Sequence, residues 1–133
     1  MNITPDAETG NINATRCNCT FCQKLAYTGL QIKNPDSEFK LISPASKAEL
    51  GDYKGGSIEG HRYFCKDCSV LCWQEGAYEF EGKKVEFFGF NLATVDQPQD
   101  GFDLNQVKLK YYDGLHDNWY AELKETPYPG GLP

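Results

Sequence analysis

The chain has no long apolar run, no excess of basic residues and no sustained helical periodicity. Nothing in it approaches the roughly 20 apolar residues of a membrane-spanning helix, so no membrane partner is expected. The N-terminus shows no signal-peptide pattern. The expected compartment is therefore the cytoplasm, where thiols stay reduced. Lys and Arg number 13 against 19 Asp and Glu, a net charge of -6. A general nucleic-acid binder would carry a basic surface, so no nucleic-acid partner is expected. A local basic pocket for a small anion remains open. Apart from two cysteine groups there is no internal repeat.

What the chain does have is cysteine, six in 133 residues. The length suits one domain with a modest core, and 40% hydrophobic residues argue against disorder. Residues 1–15 read as a loose leader with a short strand near Ile12. Residues 16–125 read as the folded domain, and residues 126–133 as an irregular, exposed tail rich in Pro and Gly. Six cysteines could form three disulfides in a secreted protein. Their CxC and CxxC spacings, together with the missing signal, favour metal instead. Asn2-Ile3-Thr4, Asn13-Ala14-Thr15 and Asn18-Cys19-Thr20 match the glycosylation pattern, which is a chance match in a cytoplasmic chain.

Short alternating segments separated by turn residues predict an all-β, mainly antiparallel domain. Strands are predicted over 25–32, 38–42, 50–54, 58–64, 70–74, 78–80, 85–90 and 107–112. Residues 92–95 continue the strand before them, Gly55-Gly56 is a turn, and 81–84 connect a hairpin.

Cys17, Cys19 and Cys22 place three thiols within six residues. On an extended strand, residues two apart share a face, so Cys17 and Cys19 point together and Asn18 points away. A turn at Thr20-Phe21 brings Cys22 back. A Cys17–Cys19 disulfide would close a very small strained ring. The natural occupant is a soft-to-borderline cation, zinc above all, and three protein ligands leave one tetrahedral position free. That open position is the mark of a catalytic zinc. A structural zinc completed by Cys65, Cys68 or a histidine is the alternative. Cys65 and Cys68 form a second, CxxC half-site, with Cys72 read as a small buried residue between Leu71 and Trp73. His61 and His116 could exchange protons near neutral pH, although a surface or structural role suits each. Lys24 and Arg62 could hold a substrate carboxylate, against a default of solvated surface.

These segments resemble those of the glutathione-dependent formaldehyde-activating enzyme and centromere protein V (GFA/CENP-V) family. Cys17-Asn-Cys-Thr-Phe-Cys22-Gln-Lys24 is similar to its CxCxxCRK segment, and Arg62-Tyr-Phe-Cys65-Lys-Asp-Cys68 to its RxFCxxC segment. Ala93-Thr94-Val95-Asp96-Gln97-Pro98 is similar to its GTLDxP stretch, and Trp119 stands where a late aromatic is expected. The resemblance implies a β-tent of small sheets organised around zinc. It implies a catalytic zinc on Cys17, Cys19 and Cys22, and half of a structural site in Cys65 and Cys68. Three departures stand out. No cysteine precedes Cys17, where the family carries a further pair; Gln23 replaces a common Arg; Ser69 replaces a usual Gly. The second zinc is then absent, completed by Cys72, or completed by a partner chain. One merged site drawing on both motifs is a further alternative.

The function expected is that of a zinc-dependent carbon–sulfur lyase-type enzyme. It would act with glutathione or another small thiol on a reactive carbonyl or conjugated electrophile, with Lys24 and Arg62 on the anionic ends. The rival is a non-catalytic binding module closed by Cys17, Cys19, Cys65 and Cys68. A missing edge strand would leave a sheet edge open to a second copy, so a homo-oligomer is compatible with the sequence.

Overall fold

The computed structural model describes residues 12–55 and 59–133. Residues 1–11 of the expected leader, with the Asn2-Ile3-Thr4 match, lie outside the described residues. So do Gly56 of the expected turn and Ile58 at the head of an expected strand. Among the described residues are seven strands: β1 Ile12–Cys17, β2 Gly29–Gln31, β3 Gly51–Tyr53, β4 Glu59–Phe64, β5 Leu71–Phe80, β6 Lys83–Asn91 and β7 Val107–Tyr112. Two short helices accompany them, α1 Thr20–Leu25 and α2 Pro35–Glu38. The protein is mostly β, as the alternation predicts. No helix among the described residues is long and apolar enough to cross a membrane.

The chain forms two compact units. One takes the described residues up to Leu30 together with Val95–Pro133, and the other takes Gln31–Thr94. In the first unit, β1 pairs antiparallel with β2 through Thr15 and Gly29. It also pairs parallel with β7, in register from Ile12–Val107 to Cys17–Tyr112. The pairing is therefore mixed rather than purely antiparallel. Parallel neighbours need a long connection, and hairpin signals between adjacent segments cannot reveal one. Ile12 and Ala14 are buried while Asn13 is exposed, the alternation of a strand with one covered face. Tyr27, Val95, Phe102 and Tyr111 are buried in the same unit.

The second unit is an antiparallel meander, β3-β4-β5-β6. The β5–β6 hairpin turns through Glu81 and Gly82, at φ 50° and 75°. Two left-handed residues are what a tight two-residue hairpin needs, because that turn matches the twist of the strands. Tyr63, Trp73 and Phe88 form the core, with Phe39, Leu41, Leu50, Cys72 and Phe90 packed on it. Phe39 meets Trp73 and Phe88 at 5.0 and 4.9 Å between ring centroids, distances of favourable aromatic packing.

Four expectations differ. The segments expected as separate strands over 70–74 and 78–80 are one continuous strand, β5. Residues 25–32 are not one strand, because α1 runs to Leu25 and Ala26 closes it in a left-handed conformation, φ 50°. Only Gly29–Gln31 is strand. Residues 38–42 form no strand: Glu38 ends the helical turn that Pro35 starts, with its ring already at helical φ, and residues 39–42 take no regular structure. Residues 92–94 form a 3₁₀ turn instead of extending β6.

Candidate metal centre

The first cysteine group is built by a strand end running into a helix start. Cys17 is the last residue of β1. Cys19 caps the N-terminus of α1 in an extended conformation, and Cys22 sits in the helix's first turn. Side chains with a strong acceptor are preferred at such a cap, because the first helical N–H groups have no partner of their own. Here sulfur is that acceptor. Cys22 N–H donates to Cys19 Sγ at 3.4 Å, and Cys19 N–H donates to Cys17 Sγ at 3.3 Å. The expected turn is therefore a helical one, and it returns Cys22 as the spacing predicts. The three Sγ atoms lie within 4.8 Å of one another.

That arrangement can hold a metal ion. Three thiols at this separation resist ionising together without a cation. The Cys19 thiol is held far below the usual thiol range by hydrogen bonds from the Cys17 and Cys22 thiols. Cys22 is pushed up, first by its hydrogen bonds to Cys17 and Cys19 and then by burial. Cys17 is raised chiefly by its hydrogen bond to Cys19. These hydrogen bonds favour ionisation at Cys19 over its two neighbours, and a bound cation would draw off the remaining protons. Among the described residues this is the one cluster of three or more Cys, His, Asp or Glu donors close enough for a common ion.

The cluster is backed by the segment after β7. Asn18, 4% exposed, lies between two of the thiols. Its Nδ2 donates to Asp113 Oδ1 at 2.8 Å and to Pro129 O at 3.3 Å. Its Oδ1 accepts from Leu115 N–H at 2.9 Å. His116 Nδ1 faces both Asp113 oxygens, at 2.9 and 3.1 Å. Asp113 titrates below its ordinary value, first because Asn18 donates to it and then because His116 does. Residues 114–116 form a single 3₁₀ turn. Gly114 lies hard against Cys17 Sγ and the Trp119 ring. Trp119, 44% exposed, stands 6.1 Å from the Tyr112 ring.

The tail is irregular, as expected, but it is tied down. Leu132 N–H donates to Gln23 Oε1 at 3.0 Å, and Arg16 Nη1 to Pro133 O at 2.6 Å. Pro127, Tyr128 and Gly131 are half-buried. Composition predicts exposure there, whereas backbone hydrogen bonds to β1 and α1 residues hold the segment in place.

No family model matches this chain, and no curated protein matches it. Among solved structures, a Rhodobacter sphaeroides protein determined as a structural-genomics target is similar over 69% of this chain and 72% of its own. The two share 20% identity at a TM-score of 0.48.

Lys24 lies two residues beyond Cys22, exposed in the last turn of α1. Arg62 belongs to the second unit, in β4, where Nη1 donates to Gly55 O at 3.1 Å and the guanidinium lies over Tyr53. The CxxC pair also belongs to the second unit, on the turn between β4 and β5. Cys65 N–H donates to Val70 O at 3.0 Å and Ser69 N–H to Cys65 O at 2.8 Å. Ser69 takes φ 62°, a conformation that favours glycine. The N–H groups of Cys68 and Asp67 aim at Cys65 sulfur and lower its pKa. Cys72 is half-buried, and burial pushes its thiol up. His61 Nδ1 meets Asp52 Oδ2 at 2.8 Å, and its ring stacks on Tyr63 at 5.7 Å.

Sequence reasoning passed over Asn18, Asp113 and Gly114. The available signal was Asn18 itself: a residue pointing away from two thiols on a covered strand end needs polar partners.

Proposed function

We propose that this protein is a zinc-dependent carbon–sulfur lyase-type enzyme that works with a small thiol such as glutathione. The observation that carries the reading is a group of three thiols, with no fourth donor beside them among the described residues, in which the Cys17 and Cys19 sulfurs accept backbone N–H groups. Cys17, Cys19 and Cys22 would hold the ion. All three are thiol donors, the chemistry zinc accepts in tetrahedral sites. Bound zinc would supply Lewis acidity that keeps an incoming thiol ionised at neutral pH. The N–H donors preorganise Cys17 and Cys19 for negative charge. Lys24 projects from the same helix as Cys22 and would attract an anionic end of the thiol. The thiol sulfur adds to an electrophilic carbon, and the thiol proton ends on the substrate's oxygen or adjacent carbon. The reverse step releases thiol and carbonyl. The resemblance to the GFA/CENP-V family motifs supports this choice of chemistry.

Metal analysis on reduced protein, followed by glutathione titration monitored by zinc-edge X-ray absorption, tests the reading. Three cysteine sulfurs and a light fourth ligand that glutathione replaces with sulfur would support it. Four protein sulfurs, unchanged by thiol, would establish the closed binding module in its place.

A further inference from the structure

We infer that Asn18 is a positioning residue for the metal centre, held in place by Asp113. The inference rests on the metal reading above. Asn18 lies between Cys17 and Cys19, so any rotation of its peptide moves both thiols. Its side chain is buried and makes three hydrogen bonds, to Asp113, Pro129 and Leu115. Each fixes a different direction. The Asp113 carboxylate takes the amide's donor side. The Leu115 N–H takes its acceptor side, which sets the amide orientation without ambiguity. Pro129 O takes the second donor direction. Asp113 is itself oriented by His116.

The consequence is a chain of support that reaches the thiols from outside the cysteine loop. Thiolates set a few tenths of an ångström out of place bind a tetrahedral ion less well. Partners behind the ligands are therefore worth about 10–100-fold in metal affinity. A second contact makes the support two-sided: Gly131 lies against Asn18 Cβ, at 3.2 Å from an added methyl. The Asn18 side chain is thus enclosed by the 113–115 turn and by the tail.

The test uses the full chain, reduced, titrated with Co(II). Wild type, Asn18→Ala and Asp113→Asn are compared. Asp113→Asn keeps the shape but replaces the charged acceptor of Asn18 Nδ2 with a neutral amide that accepts through one oxygen only, so the bond holding Asn18 is weakened. Far-UV circular dichroism reports the fold. Expected are a native dichroism spectrum, Co(II) affinity lowered about 10–100-fold, and displaced thiolate-to-cobalt and d–d bands in both variants. A purely structural role would lower the melting temperature and leave the bands where they are. Wild-type bands and affinity in the variants overturn the inference. Absence of thiolate-to-cobalt bands in wild type overturns the metal reading itself, which separates the two failures.

Discussion

Gly114→Ala puts the proposed centre under the most direct strain. A methyl at Gly114 would stand 2.5 Å from Trp119 Cη2 and 2.8 Å from Cζ2, and closer still to Cys17 Sγ. Ordinary carbon contacts lie at about 3.5–4.0 Å, so roughly an ångström must be recovered on each side. Trp119 is 44% exposed and can swing outward. Cys17 cannot yield so easily. Its Sγ sits on Cβ, next to the strand backbone, and moves only by leaving its rotamer, which carries it away from Cys19 and Cys22. Overpacking of this kind costs about 1–3 kcal/mol, or roughly 4–12 °C in melting temperature for a chain of this size. If the cost falls on Cys17, one of three ligands is lost and metal affinity falls by well over tenfold. Thermal melts and Co(II) titration of Gly114→Ala measure both effects. The double variant with Trp119→Ala decides where the strain lies. Removing the ring should recover part of the stability and none of the metal binding. Full metal binding in Gly114→Ala would refute the close approach of Gly114 to Cys17, and with it the centre's backing. Recovery of metal binding in the double variant would show that the ring, not Cys17, was the obstacle.

Cys19→Ala should lower both metal content and melting temperature, because metal binding energy at such sites is folding energy; unchanged metal stoichiometry by mass spectrometry would end the assignment. Asp113, whose folded pKa is depressed by Asn18 and His116, contributes stability that is present above its unfolded pKa of about 3.9 and is lost as pH falls through the lower folded value. The melting-temperature gap between wild type and Asp113→Asn, measured on chelator-treated protein, should therefore shrink as pH falls from 6 to below about 4; a constant gap contradicts the role. Ser69→Gly should stabilise the protein by up to about 1 kcal/mol, since φ 62° costs a side-chain-bearing residue more than glycine. A denaturant midpoint that falls would refute the strain.

Spacing was enough to read the cysteine group because its geometry is local. Six consecutive residues carry all three thiols, and a strand end or a helix start would each gather them. The hairpin of β5 and β6 was readable for the same reason: its turn lies between the segments it joins. Of the aromatics that residue type marks as core, Tyr27, Phe64, Trp73 and Phe88, all but the half-buried Phe64 are buried; the neighbouring Tyr63 is buried instead, and Phe39 reaches the core from a segment expected to be strand. Misreadings fell where a local signal competed with another. Pro35 drew Glu38, the first residue of one expected strand, into a helical turn, and a helix capped by a cysteine ran into the start of another.

From the chain alone came the thiol donor set, the acidic balance and the predominance of short strands, since each follows from composition or from neighbours within a few residues. Tertiary structure alone decided what stands behind the thiols. Asn18 and Asp113 are 95 residues apart and meet because β1 and β7 pair in parallel, ending side by side at Cys17 and Tyr112. Pairing between distant strands depends on long-range burial and closure of the intervening chain, and no local pattern encodes it.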